Sequence, residues 1–161
     1  MSEEHPLATH VDNLVYEPTQ VHDQGIDLTV SAIYTVDAPG KLDFGGDELE
    51  DAEFEAVPTA QQAPNDDYGW WELDGGRYVL QHNEFLTDVE DQLVLQARNE
   101  LLARGCSHPT VWVSSHLPLL PLSVPEGGVQ IKENARVSTL LSPNASDAMA
   151  ERTLDDRSPD G

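Results

Sequence analysis

The stretch Gly25-Ile26-Asp27-Leu28-Thr29-Val30 constrains the fold most. Ile26, Leu28 and Val30 recur at a two-residue period, which predicts a half-buried strand with Asp27 and Thr29 on its other face. Strands disfavour Asp, because its side chain competes for the backbone's hydrogen bonds. Asp27 therefore lies either on a solvent face or in a site. Further strands are predicted at Arg77–Leu86, Gln92–Ala97, Thr110–Ser114, Leu119–Val124 and Gly128–Leu141, the first one running on to Val36. Ala38-Pro39-Gly40, Gly45-Gly46, Asp74-Gly75-Gly76 and Pro125-Glu126-Gly127-Gly128 are turn signals between them. Many short strands with Gly and Pro punctuation argue for an all-β barrel or sandwich.

Asp88 to Arg104 is the exception. Leu93, Ala97 and Leu101 fall at four-residue spacing in a composition that favours helix. The reading splits it into a strand through Ala97 and a short helix ending before Gly105, whose position suits a C-cap. Residues 45–69 read as a long acidic loop, of the kind that is functional or mobile. The expected organisation is a flexible N-terminus over 1–10, one barrel domain over 11–142, and a disordered acidic tail over 143–161 that holds almost no bulky apolar side chains.

Charge bears on partners and habitat. Among 161 residues, 30 are acidic and 8 basic, for a formal net charge of −22. Phosphate backbones attract basic surfaces, so nucleic acid is not an expected partner. Such a surface repels itself in dilute buffer, and at ~1 M salt a Debye length of about 3 Å screens that repulsion. The expectation is adaptation to high internal salt. Cys106 is the sole cysteine, which excludes an internal disulfide or a cysteine zinc cluster and fits a reducing cytoplasm. No stretch is apolar enough to predict a membrane span, and the start lacks the pattern of a signal peptide. His82-Asn83-Glu84 matches half of the zinc deaminase signature, but its Pro-Cys-x-x-Cys half is missing, so no zinc is expected. Trp70-Trp71 reads as packing or a partner-facing patch.

Four motifs follow in a fixed order: Gly25-Ile26-Asp27-Leu28, Ala97-Arg98-Asn99-Glu100-Leu101-Leu102-Ala103-Arg104-Gly105-Cys106, Thr110-Val111-Trp112-Val113, and Glu133-Asn134-Ala135-Arg136-Val137-Ser138-Thr139-Leu140-Leu141. Over residues 12–142 this order resembles the dUTPase/dCTP deaminase superfamily, in particular dUTPase-like proteins of salt-loving archaea. Gly75-Gly76-Arg77-Tyr78-Val79-Leu80 also resembles the family's strand leading to its site. The resemblance implies a distorted jelly-roll β-barrel with one short helix, a homotrimer with sites where subunits meet, and a deoxypyrimidine nucleotide as ligand. It implies either hydrolysis of dUTP to dUMP and pyrophosphate with Mg²⁺, or deamination of dCTP to dUTP without zinc.

Carried over residue by residue, Arg98 matches the motif arginine, and a guanidinium fork suits phosphate. Asn99 and Glu100 stand where the family has two serines. A carboxylate ~4 Å from a phosphate charge costs about 4 kcal/mol at an effective dielectric near 20, unless a metal ion bridges the two. Arg98, Asn99 and Arg136 are thus the expected substrate-binding residues. Candidates for catalysis are Glu100, Asp27 and His116, the last because its unperturbed pKa is near neutral; His108 is a weaker histidine of the same kind. The hairpin between Val111 and Val124 lacks the acid the family places there. Whether Asp47 or Glu48 of the acidic loop stands in for it stays open. Glu133 and Arg136 match the closing strand, while Thr139 replaces its usual glutamine. These departures leave a second reading open: a catalytically silent relative that binds nucleotide or serves a regulatory or structural trimer.

Overall fold

A computed structural model of the chain describes residues 6–87, 89 and 91–143. Residues 144–161 of the expected tail over 143–161 and residues 1–5 of the expected flexible N-terminus lie outside the described residues. Pro6–His10 form a 3-10 turn that sets Leu7 into the core. The elements are β1 (Val11–Asp12), α1 (Glu17–Gln20), β2 (Val21–His22), β3 (Gly25–Ala38), β4 (Glu53–Ala56), β5 (Trp70–Leu73), β6 (Gly76–His82), β7 (Phe85–Leu86), β8 (Leu93–Ala97), α2 (Asn99–Ala103), β9 (Val111–Val113), β10 (Leu120–Val124), β11 (Val129–Lys132) and β12 (Arg136–Leu141). The fold is all-β, as the turn-punctuated strands imply.

The main sheet is antiparallel, in the order β10-β6-β3-β12-β8-β9, with β2 and β4 also pairing β3. β3 is its spine. Its first half pairs β12 and its second half pairs β6, with register shifts in both ladders. Such irregularities raise local twist, and here the sheet curls into a half-barrel. Leu28, Ile33, Leu80, Leu95, Leu120, Leu122 and Leu140 fill the core inside the curl. Gly25 starts β3 because a Cβ there would lie 2.2 Å from the Leu140 carbonyl oxygen of β12.

The expected alternation in β3 is corrected in one respect. Gly25 to Val30 are all buried, so Asp27 and Thr29 face protein rather than solvent. The split of Asp88 to Arg104 matches β8 and α2. Gly105 adopts φ +85°, and the amides of Gly105 and Cys106 donate to the carbonyls of Leu102 and Leu101. That is the Schellman closure a C′ glycine permits. Within the acidic loop, β4 pairs β3 on four exposed residues, and Lys41 bridges Glu50 to close a hairpin. Trp71 is packed in the core, and the Lys132 ammonium lies 5.6 Å above the Trp70 ring. No helix among the described residues is long and apolar enough to cross a membrane.

Candidate functional site

Asp27 is the centre of the candidate site. β3 buries its side chain to 5% exposure, and four groups converge on its two oxygens. Arg136 Nη1 of β12 donates to Oδ2 at 3.0 Å, and Arg98 Nε lies 3.4 Å from the same oxygen. Thr139 Oγ1 of β12 and His22 Nε2 of β2 each donate to Oδ1 at 2.9 Å. The register explains the convergence. Thr139 lies opposite Asp27 in the β3–β12 ladder. Arg98 follows β8, which flanks the other edge of β12, and its backbone amide bonds to Val137. Its Nη1 also donates to the Arg136 carbonyl at 3.2 Å.

The charges do not cancel. One carboxylate faces two guanidiniums, leaving one net positive charge, with the Arg98 and Arg136 side chains still 20% and 36% exposed. Of the other described cations, Lys41 and Arg104 pair with single carboxylates, at 3.9 Å in each case. An excess positive site in a chain of net charge −22 is suited to an anionic ligand.

His22 is a residue that the sequence reading missed. Its tautomer follows from its neighbours. Asp27 can only accept, so Nε2 carries the proton. The Gln24 amide donates to Nδ1 at 3.3 Å, so Nδ1 holds the lone pair.

The remaining candidates fall elsewhere. Asn99 and Glu100 are exposed on α2, and the Glu100 carboxylate lies 3.9 Å from Arg104. His116 is exposed in the β9–β10 connection, with Nδ1 3.3 Å from the Ser115 hydroxyl. It borders a cleft of about 130 Å³ with His82, Glu84 and Leu117, apart from the partners of Asp27. Asp47 and Glu48 occupy an exposed hairpin tip, where the Asp43 carboxylate accepts the amides of Gly46 and Glu48. Glu133 accepts the Gly69 amide at 2.7 Å, which ties down the loop before β5.

His82 and Glu84, the half-signature of zinc chemistry, serve two internal networks. Glu84 accepts from the Thr29 amide and hydroxyl and from Gln20 Nε2. Burial raises its pKa against these bonds, which act to lower it. Ser138 joins two buried histidines, lying 2.8 Å from Nε2 of each. His108 Nδ1 donates to the Pro109 carbonyl at 2.9 Å, so the Ser138 hydroxyl donates to His108 and accepts from His82. His82 Nδ1 is then a lone pair with no protein donor. Burial, and next the charge of His108, push the His82 pKa down to about 3. Burial also lowers His108.

Fold and site together define an antiparallel β-fold with two guanidiniums gathered on one buried carboxylate. No protein-family model matches the chain. A protein of Methanococcoides burtonii named probable deoxyuridine 5′-triphosphate nucleotidohydrolase is 27% identical over 136 residues, which are 81% of this chain and 76% of that protein. A protein of the same name from Halobacterium salinarum is 30% identical over 108 residues, 66% of this chain and 62% of that one. Among solved structures, the 2′-deoxycytidine 5′-triphosphate deaminase of Agrobacterium tumefaciens superposes with a TM-score of 0.52 at 12% identity, over 83% of this chain. The chain spans 43% of that deaminase's length. In sequence the chain is thus similar to archaeal proteins named probable deoxyuridine 5′-triphosphate nucleotidohydrolases, and in fold to a 2′-deoxycytidine 5′-triphosphate deaminase.

Proposed function

We propose that the chain acts in pyrimidine deoxynucleoside triphosphate metabolism, either hydrolysing dUTP to dUMP and pyrophosphate or deaminating dCTP to dUTP. The observation that carries this is the pair Arg98 and Arg136 on the single carboxylate of Asp27. Asp27 holds both forks in place while leaving a positive charge for a triphosphate. The names of the archaeal relatives supply the nucleotide.

Mg²⁺ is not held by Asp27, whose two oxygens already receive four donors. Among the described residues no group of three or more His, Cys, Asp or Glu could hold a metal ion. Any Mg²⁺ therefore arrives on the triphosphate, as that ion commonly does, and exposed Glu100 is the carboxylate that would meet it. A homotrimer working in a salt-rich cytoplasm completes the proposal and fits the charge of −22.

A silent nucleotide-binding relative is the second reading. It is favoured by Glu100 on α2 and by the lack of any acid from Val111 to Val124. The test incubates the protein in ~1 M salt with dUTP and dCTP, with and without Mg²⁺, and measures pyrophosphate, ammonia and binding. Pyrophosphate or ammonia supports the first reading. Binding without product selects the second, and neither binding nor product overturns both.

A further inference from the structure

We propose that His22 is the general base of this site and takes the place of the acid missing from the β9–β10 connection, whose two strands pair β8 and β6 rather than each other; the proposal rests on the hydrolytic form of the reading above. Asp27 Oδ1 accepts from His22 Nε2 at 2.9 Å, which fixes the ring and leaves its basic lone pair on Nδ1. That nitrogen has one weak partner, the Gln24 amide at 3.3 Å, which a water can displace. The ring is 36% exposed, whereas the Asp27 carboxylate beneath it is 5% exposed. An acid orienting an imidazole whose far nitrogen meets solvent is the arrangement that activates a water.

Position supports the role. Arg98, Arg136 and His22 all contact one carboxylate, so a phosphate drawn to the two forks lies beside the imidazole. The other histidines fit less well. His82 and His108 are buried and committed to Ser138. His116 contacts neither Arg98 nor Asp27 among the described contacts.

The step balances without a further reactant. A water oxygen forms a bond to the α-phosphorus and its proton passes to His22 Nδ1. The bond from that phosphorus to the bridging oxygen breaks, and pyrophosphate leaves with the electron pair. Protonated His22 then returns its proton to solvent. The charged groups around the ring are Asp27 of β3, Arg98 before α2 and Arg136 of β12, while Glu17 of α1 and Asp23 flank it along the chain.

The experiment measures pyrophosphate release from dUTP by the full chain against pH, for the unaltered protein and for His22→Gln, together with dUTP binding. The expected kcat of the unaltered protein falls on the acid side, where a base that must take a proton from water is already protonated. His22→Gln is expected to lose about 10²-fold or more in kcat with binding retained, and to lose that limb. A variant that keeps both rate and limb overturns the role of His22 and leaves dUTP hydrolysis standing. A variant that fails to fold leaves the decision to the unaltered protein, where a kcat flat between about pH 5 and 8 overturns the proposal. If the unaltered protein releases no pyrophosphate, the hydrolytic reading itself fails, and the base with it.

Discussion

Acid should unfold this chain through His82, by an amount the structure sets. The unfolded imidazole takes up a proton near pH 6.5, whereas the folded ring resists until about pH 3. Between those values the unfolded state binds more protons, so stability falls as pH falls and is fully present only above about pH 6.5. From pH 7 to pH 4 the ring crosses about 2.5 pH units of that window, worth on the order of 3 kcal/mol at 1.36 kcal/mol per unit. His108, also lowered by burial, acts in the same direction. Glu84 acts in the opposite one. Its raised pKa makes the folded state bind more protons above its ordinary titration, so acid favours the fold there. The assay is urea unfolding at fixed protein concentration and ~1 M salt, from pH 7 to 4, for the unaltered protein and His82→Gln. The difference between them should shrink by about 3 kcal/mol as pH falls, because the variant has no imidazole to charge. The common background of thirty carboxylates cancels in that difference. Parallel stability curves would refute the reasoning, since they would mean that the buried ring charges without cost.

Other perturbations test neighbouring parts. Gly25→Ala puts a methyl 2.2 Å from the Leu140 carbonyl oxygen, a backbone atom that can yield only by separating β3 from β12. A loss of about 3 kcal/mol or more in urea unfolding is expected, at or beyond the usual cost of overpacking. Leu95→Ala empties a fully buried position between β12 and β9 and should cost about 2–5 kcal/mol, read in the same experiment. Glu100→Gln removes an exposed like charge from the triphosphate's approach. Without Mg²⁺, this should tighten dUTP binding several-fold in dilute salt and by much less at ~1 M, where the Debye length is about 3 Å. Equal effects at both salt concentrations would remove Glu100 from the ligand's vicinity.

Some of this was legible in local chemistry. Gly105 announced the end of α2, because a left-handed residue closes a helix best when it lacks a Cβ. A period-two run announced β3, and apolar runs between turn signals announced β6 and β10, while β8 came from splitting the ambiguous stretch Asp88 to Arg104. β4 was hidden inside an acidic loop, because all four of its residues are exposed and it has no apolar face to betray it. The site was half legible. Arg98, Arg136 and Asp27 stood in a recognisable order, and antiparallel pairing brings them to one carboxylate. His22 could not be read, because only the β2–β3 turn carries it back to Asp27 and a lone histidine has no pattern. The alternation of β3 left Asp27 open between a solvent face and a site, because period two cannot distinguish a wet face from an internal polar layer.

The most direct measurement compares dUTP binding by the unaltered protein, Arg98→Ala and Arg136→Ala, with urea unfolding to confirm that each variant is folded. Each lost guanidinium should weaken binding by about tenfold or more, since a charge-assisted hydrogen bond is worth about 1.5–3 kcal/mol. The weakening should be larger in dilute salt than at ~1 M. Folded variants that bind dUTP as tightly as the unaltered protein would contradict the account, and would reduce the Asp27 cluster to a brace between β3, β8 and β12.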